Sequence, residues 1–154
     1  MKKIICAFIF LLILSAFLNA QSLYKEVMNF ALDSLEGKKV ELSDFKNKPL
    51  LLFFWTIRCP HCRRALFLLN QIYPELEDSN IEILGINIEE SADKIKRFLK
   101  DYPLTFKILL DSDGKVARIY RVIGVPTYIL IDKEGKVKFQ GSYFPFDYKN
   151  LLGD

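Results

Sequence analysis

The residues with the clearest chemistry are two cysteines, Cys59 and Cys62, with two residues between them. Cysteines at this C-x-x-C spacing occur as redox-active pairs and as half of a zinc site. A disulfide between them would close a very short loop, and such a loop gains little stability from cross-linking. The spacing therefore favours a disulfide that opens and closes over one that only holds the fold together.

The segments around the pair predict how the first cysteine is presented. The continuous apolar run of residues 50–55 is typical of a strand buried on both faces, and Pro60 suits the first position of a helix. Cys59 would then lie at the helix N-terminus, where free N–H groups and the helix dipole stabilise a thiolate. We predict that Pro60, His61 and Arg58 tune this effect, the last two through nearby positive charge.

The second cysteine has a different predicted role. Cys62 lies at helical spacing with apolar residues of the following turns, so its side chain should face the core. Cys59 would attack a disulfide of a partner protein to form a mixed disulfide, and Cys62 would then attack Cys59 and release the partner. The apolar stripe predicts a helix from Pro60 to about Tyr73 that ends near Pro74.

Two cofactor-based interpretations of the pair are weaker. A structural zinc site needs about four ligands, whereas the chain beyond residue 20 offers two cysteines and one histidine, His61. Covalent haem attachment needs a histidine directly after the second cysteine, and that position holds Arg63. We therefore expect no metal, and no cofactor other than a redox-active disulfide between Cys59 and Cys62.

Residues 1–20 have the plan of a secretory signal. Lys2 and Lys3 precede an almost wholly apolar run over residues 4–18, and small or polar residues follow. We predict a signal peptide at 1–20, or an N-terminal membrane anchor if it is not cleaved, and a periplasmic or otherwise extracytoplasmic location. Removing it also removes Cys6, which leaves Cys59 and Cys62 as an isolated pair where disulfides persist.

Length and charge limit the remaining possibilities. The chain has 154 residues, 51% of them hydrophobic, and a formal net charge of +3. This length fits one domain, which we place at residues 21–154, and so small a charge gives no reason to expect nucleic acid. We expect a monomer whose partners are protein thiols and disulfides, together with a membrane or periplasmic redox donor or acceptor.

The order of predicted elements indicates the fold class. Strands alternating with helices predict an α/β fold whose mixed central sheet is covered by helices on both faces. Two short strands before residue 48 would form an N-terminal extension. The predicted strands are residues 30–32, 40–42, 50–55, 81–88, 106–110, 127–131 and 137–139, with helices after residues 60, 91 and 115 and near 146–152.

Over residues 27–152 the chain resembles the thioredoxin superfamily, and within it the extracytoplasmic branch of TlpA-like and ResA-like redoxins. The resemblance implies a thioredoxin-like three-layer sandwich and thiol-disulfide oxidoreductase activity. It depends on several segments, which are Val40–Phe45, Phe54-Trp55 ahead of Cys59–Cys62, Gly124–Thr127 and Tyr128–Gly135.

The resemblance also implies a substrate-binding surface. It implies a cis peptide bond before Pro126 that faces the cysteines, with the preceding backbone pairing with substrate as a short strand. The substrate-binding residues carried over are Val125, Pro126 and Thr127, together with Trp55, which is carried over as a packing residue beside the active turn.

Two departures from the family pattern bear on mechanism and direction. Many thioredoxins bury an acid on the strand before the cysteines, and Phe53 occupies the matching position here. The dipeptide Pro60-His61 resembles that of the strongly oxidising DsbA proteins, whereas the rest of the chain resembles a branch assigned reducing work, including cytochrome c maturation. Because the second likeness covers more of the chain, we favour a reductase over a DsbA-like disulfide oxidase.

Two further interpretations stay open. A peroxiredoxin-like peroxidase is suggested by Thr56 three residues before Cys59, although Leu52 stands where that family has a proline. A non-enzymatic copper-handling module is the other, because two thiolates can hold Cu(I). Related copper chaperones have a wider cysteine spacing and a distant histidine, which this chain lacks.

Overall fold

The computed structural model describes residues 27–153 and contains one seven-stranded sheet in the order β2-β1-β5-β4-β3-β6-β7. The strands are β1 (Ala31–Ser34), β2 (Lys39–Glu41), β3 (Leu50–Trp55), β4 (Glu82–Ile88), β5 (Lys107–Asp111), β6 (Thr127–Ile131) and β7 (Val137–Gly141). The helices are α1 (Pro60–Asp78), α2 (Ala92–Leu99), α3 (Lys115–Ile119) and α4 (Tyr148–Leu152), and a 3-10 turn covers Leu42–Phe45.

Strand β3 occupies the middle of the sheet, as its apolar sequence predicts. All six of its residues are buried, and it pairs with β4 in parallel and with β6 in antiparallel orientation. Strands β4 and β5 are also parallel, whereas β1, β2 and β7 pair antiparallel. The sheet is therefore mixed, and the predicted α/β class and N-terminal strand extension are confirmed.

Helices cover both faces of the sheet. One apolar cluster packs α1, α2 and α4 against one face, and a second packs α3 and the 3-10 turn against the other. Side chains of β3 alternate between the two clusters, with Phe53 and Trp55 in the first and Leu52 and Phe54 in the second. This double burial fixes the end of β3, where the cysteine turn begins.

Helix α1 is longer than the sequence predicted. It continues through Pro74 to Asp78, where Ser79 donates its backbone N–H to the carbonyl of Glu75 at 3.1 Å. A proline inside a helix loses one backbone hydrogen bond and crowds the preceding turn. Here Tyr73 and Leu76 are both buried in the core on either side of it, and this burial outweighs the local cost.

Strands β3 and β6 have the predicted bounds, and the other strands differ from the predictions by at most two residues at either end. Ser91 occupies the N-cap of α2 as predicted, but its side chain makes no capping hydrogen bond. No helix within residues 27–153 is long and apolar enough to cross a membrane. The predicted signal or anchor at residues 1–20 lies outside the described residues.

Candidate active site

Cys59 is the N-cap residue of α1. Its Sγ accepts a hydrogen bond from the backbone N–H of Cys62 at 3.1 Å, and its own N–H donates to the carbonyl of Thr56 at 3.3 Å. An N-cap acceptor takes up one of the backbone donors that a helix start leaves unpaired. The same N–H groups that hold the sulfur in place would stabilise negative charge on it.

Cys62 lies beneath Cys59 and is fully buried, with 0% of its surface exposed, while Cys59 is half-buried; both are free thiols. Burial, followed by the hydrogen bond with the Cys59 sulfur, raises the pKa of the Cys62 thiol to about 12. Cys62 therefore stays protonated at neutral pH and out of reach of a visiting protein, so that only Cys59 can be attacked from outside.

The loop before β6 lies directly against Cys59. The Val125–Pro126 peptide bond is cis, and the Cys59 thiol donates to the carbonyl of Val125 over 3.6 Å. Thr127 is buried and donates through Oγ1 to the carbonyl of Gly124 at 2.6 Å. Val125 and Pro126 are thus placed to contact a substrate at Cys59, whereas Thr127 holds the loop in shape.

An open groove of about 340 Å³ continues from this loop toward the end of β7. Its wall is fixed by Gln140, whose side-chain amide donates to the carbonyl of Tyr120 at 3.1 Å. Ile123, at its rim, is fully exposed. The residues that line the groove are Arg121, Ile123, Gly124, Val125, Pro126, Thr127, Gln140, Gly141 and Ser142.

A buried carboxylate holds the turn on the opposite side of Cys59. Glu90 follows the end of β4, and its side chain is only 3% exposed. One oxygen accepts hydrogen bonds from the backbone N–H of Ile57 at 2.7 Å and from the amide of Asn87 at 3.0 Å. The other pairs with the ammonium of Lys94 at 2.7 Å. Glu90 therefore ties the turn between β3 and α1 to the end of β4.

The contacts of Glu90 decide its charge. Burial by itself would raise the pKa of this carboxyl, but the Ile57 N–H, the Lys94 ammonium and the Asn87 amide together hold the pKa below its ordinary value. Glu90 is therefore ionised at neutral pH and accepts hydrogen bonds through both oxygens. A carboxylate in this state can fix the turn, whereas a protonated one would lose its pairing with Lys94.

A sequence model of the AhpC/TSA family matches residues 23–140. The chain belongs to this family. Within it, the chain is similar to the "Thiol-disulfide oxidoreductase ResA" of Bacillus thuringiensis, with 41% identity over 113 residues, which are 73% of this chain and 65% of that protein. It is 33% identical to the Bacillus subtilis ResA over 136 residues, which are 87% of this chain and 76% of that protein.

Solved structures agree with this placement. A structure described as the thiol:disulfide interchange protein DsbE from Chlorobium tepidum aligns with a TM-score of 0.74 and 30% identity, over 83% of this chain and 91% of that one. The StoA structure from Bacillus subtilis shares the fold with a TM-score of 0.69 and 24% identity, over 82% of this chain and 98% of that one. The resemblance to ResA-like redoxins with a thioredoxin-like fold is confirmed.

The structure corrects one substrate-binding prediction for this AhpC/TSA family member. Trp55 is fully buried and packs against Phe98 of α2, with ring centroids 6.0 Å apart. A partner protein cannot touch it in this conformation. Trp55 therefore serves the packing role that the resemblance also implied, because it fills the space between β3 and α2 behind the cysteine turn.

The predicted tuning residues surround Cys59 but differ in what they contact. Pro60 occupies the first position of α1. Arg58 and His61 are exposed and form no ion pair with any other residue that the structure describes. Their influence on Cys59 stays a prediction. Within residues 27–153, no three potential metal-ligating side chains lie close enough together to hold an ion.

Glu90 is the functional candidate that the sequence analysis missed, although a signal for it was present. Strands β3 and β4 are adjacent and parallel, so their carboxyl ends meet at the same edge of the sheet. Glu89-Glu90 follow the apolar run of β4 just as the cysteine turn follows the run of β3. Strand β3 thus carries Phe53 and no acid, while the buried acid that contacts the cysteine turn, through Ile57, follows the neighbouring strand.

Proposed function

We propose that this protein is an extracytoplasmic thiol-disulfide oxidoreductase that exchanges disulfides with partner proteins through Cys59 and Cys62. The observation that carries this proposal is the pairing of a reachable thiol at a helix N-terminus with a buried thiol directly behind it. The similarity to proteins named thiol-disulfide oxidoreductase supports the same reaction class.

The reaction follows from the two environments. The Cys59 thiolate attacks one sulfur of a partner disulfide, which breaks the S–S bond, forms a mixed disulfide and expels a partner thiolate. Cys62 then loses its proton and attacks the Cys59 sulfur. This step closes the Cys59–Cys62 disulfide and releases the second partner thiolate. The partner gains two electrons and the protein is oxidised, so an external dithiol must reduce it before the next cycle.

The different exposure of the two thiols sets the order of these two reaction steps. Cys62 is held neutral by burial and by its contact with Cys59. It gains a target only when Cys59 is bonded to a partner, and forming that bond removes the negative charge on the Cys59 sulfur that also raises the pKa of Cys62. The partner segment would meanwhile lie against the Val125–Pro126 backbone, which borders Cys59 on its open side.

We propose reduction, of the kind used in cytochrome c maturation, as the physiological direction. Its support is the likeness to ResA and to a structure described as DsbE, which extends over most of the chain, whereas the DsbA-like feature is the single dipeptide Pro60-His61. The reduction potential of the pair decides the direction. We expect a value near the thioredoxin end, about −270 mV, whereas a value near −120 mV would indicate an oxidase.

The activity test uses the reduced protein and a protein disulfide substrate such as insulin, with dithiothreitol as the electron source. We expect wild-type protein to accelerate insulin reduction, and Cys59→Ser to abolish the acceleration because the attacking sulfur is gone. Hydrogen peroxide is offered in a parallel assay. Rapid peroxide consumption without insulin reduction would replace this proposal with the peroxidase alternative, and tight Cu(I) binding without exchange would replace it with a copper-handling role.

A further inference from the structure

We propose that the groove beside Pro126 selects partner segments that carry an acidic side chain close to the reactive cysteine, with Arg121 as the recognising residue. This inference rests on the proposed disulfide exchange and names the chemistry of the partner. The surface concerned, called the Arg121 groove below, is the groove that runs from Val125 and Pro126 to Ile123 and Arg121.

The position of the groove ties it to the reaction. Val125 both lines the groove and accepts a hydrogen bond from the Cys59 thiol. A partner segment whose cysteine is bonded to Cys59 must therefore pass over Val125 and Pro126. The residues beside that cysteine then lie in the groove, within reach of the long Arg121 side chain at its rim.

Arg121 forms no ion pair within the described part of the protein. Four lysines there form ion pairs with Glu75, Glu82 or Glu90. Arg121 is exposed and pairs with no carboxylate among residues 27–153, and the same holds for Arg58 beside Cys59. A guanidinium offers a planar fork of donors that matches a carboxylate, so Arg121 remains available to an acid in the groove, which Arg58 does not line.

Acids at this edge of the sheet do not compete for Arg121. Glu90 is buried and already paired with Lys94. Glu89 is exposed, but its carboxylate lies beside Gly114 at the start of α3 and does not line the groove. The groove therefore presents one unpaired cation beside the apolar side chains of Ile123 and Val125, which fits an acidic residue next to an apolar one.

The backbone at Arg121 is held in an uncommon conformation. Its φ of 53° is left-handed, and its N–H donates to the carbonyl of Arg118 at 3.0 Å as α3 ends. Glycine or asparagine adopts this region at lower cost than arginine does. The hydrogen bond to Arg118 holds the backbone from which the Arg121 side chain extends at the groove rim.

The test compares three peptides that each contain a single cysteine. They differ only at the residue next to it, which is Glu in one peptide, Gln in the second and Lys in the third. Each cysteine is disulfide-bonded to 2-mercaptoethanol, so attack of Cys59 on the peptide sulfur expels the same small thiolate from all three peptides, and Cys62 then releases the peptide thiol. Reduced protein is mixed with each peptide at low ionic strength, and the initial release of 2-mercaptoethanol gives a second-order rate. We expect the Glu peptide to react about five-fold faster than the Gln peptide, and the Lys peptide to be slowest.

Variants assign the preference to Arg121. We expect Arg121→Gln to bring the Glu-to-Gln rate ratio close to one, and Arg121→Lys to restore part of it because the charge returns. Lys38→Gln removes the same charge in the exposed turn between β1 and β2 and should leave the ratio unchanged. Salt at about 1 M should also reduce the wild-type ratio, because it screens exposed charges.

The possible failures are distinguishable. Equal rates for all three peptides, or a ratio that Arg121→Gln leaves unchanged, would overturn the selection of acidic segments while leaving disulfide exchange intact. Release of no peptide thiol from any peptide would instead overturn the proposed function itself.

Discussion

Strand β4 carries a buried carboxylate at each end, and the two are held differently. Glu82, at its start, binds the ammonium groups of Lys48 at 2.9 Å and Lys107 at 3.2 Å. Glu90, just beyond its end, binds one lysine and also accepts the backbone N–H of Ile57. The first carboxylate joins side chains at the edge of the sheet away from the cysteines, and the second holds the turn that presents Cys59.

This difference shows that two buried carboxylates with similar ion pairs can have different roles, depending on which other groups they hold. Both carboxyl pKa values lie below the ordinary range, because in each case ammonium groups and hydrogen bonds outweigh the effect of burial. Only Glu90 has a partner in the cysteine turn. We therefore expect the two acids to contribute comparably to folding, and only Glu90 to affect disulfide exchange.

The largest expected effect comes from removing each carboxylate. Glu82→Ala and Glu90→Ala should each lower the free energy of unfolding by about 2 kcal/mol, because each change removes the hydrogen bonds of a buried carboxylate to partly exposed lysine ammonium groups. Only Glu90→Ala should also slow exchange, by about ten-fold, because the turn loses the bond at Ile57 and a small misplacement of a reacting atom is costly. Urea unfolding and insulin reduction measure the two quantities.

A matched variant separates position from charge in this comparison. Glu90→Gln retains an oxygen that can accept the Ile57 N–H but loses the charge that pairs with Lys94. We expect it to recover most of the exchange rate lost in Glu90→Ala. Equal exchange rates in Glu82→Ala and Glu90→Ala would contradict the distinction between the two ends of β4.

Acid pH should cause a smaller loss of stability, to which both Glu82 and Glu90 contribute. A carboxyl whose pKa is lower in the folded state contributes stability that is present above its unfolded value, about 4.3, and is lost as pH falls through the folded value. Wild-type protein should therefore lose stability below this pH more steeply than Glu82→Gln or Glu90→Gln. Urea midpoints between pH 3 and pH 6 would show this, and parallel curves for all three proteins would contradict it.

Alkaline pH gives a further contrast, because Cys62 is buried in the neutral form and the two carboxylates are buried in the charged form. The pKa of Cys62 is about 12 in the folded protein and about 8.5 in the unfolded chain. The stability that Cys62 contributes is therefore complete below a pH of about 8.5 and declines as the pH rises above it. Over that range the stability difference between reduced wild-type protein and Cys62→Ala should shrink by about 1 kcal/mol per pH unit. A constant difference from pH 7.5 to pH 10.5 would contradict this.

Local features of the site could be predicted from the sequence because they depend on neighbouring residues. The apolar run of β3, Pro60 and the C-x-x-C spacing are enough to place Cys59 at a helix start and Cys62 on its buried side. The course of α1 through Pro74 could not be predicted in this way, because its cost is offset by burial of Tyr73 and Leu76 against distant parts of the chain.

The remaining site residues depend on contacts between segments far apart in sequence. Glu90 reaches Ile57 across 33 positions only because β3 and β4 are adjacent in register. Arg121 borders the loop before β6 because α3 ends beside β7. Neither the Glu90–Ile57 contact nor the position of Arg121 leaves a periodic pattern or a fixed spacing in the sequence. Neither could therefore be predicted without knowing the strand order.

We propose that Cys59 alone bonds to the partner protein and that Cys62 attacks it from the buried side. Mass-spectrometric mapping of trapped mixed disulfides tests this directly, with Cys59→Ser and Cys62→Ser incubated separately with the same glutamate-containing peptide disulfide at pH 7. The structure predicts a stable peptide adduct on Cys59 in Cys62→Ser, and no adduct on the buried Cys62 in Cys59→Ser. Comparable adducts on both cysteines would contradict the account.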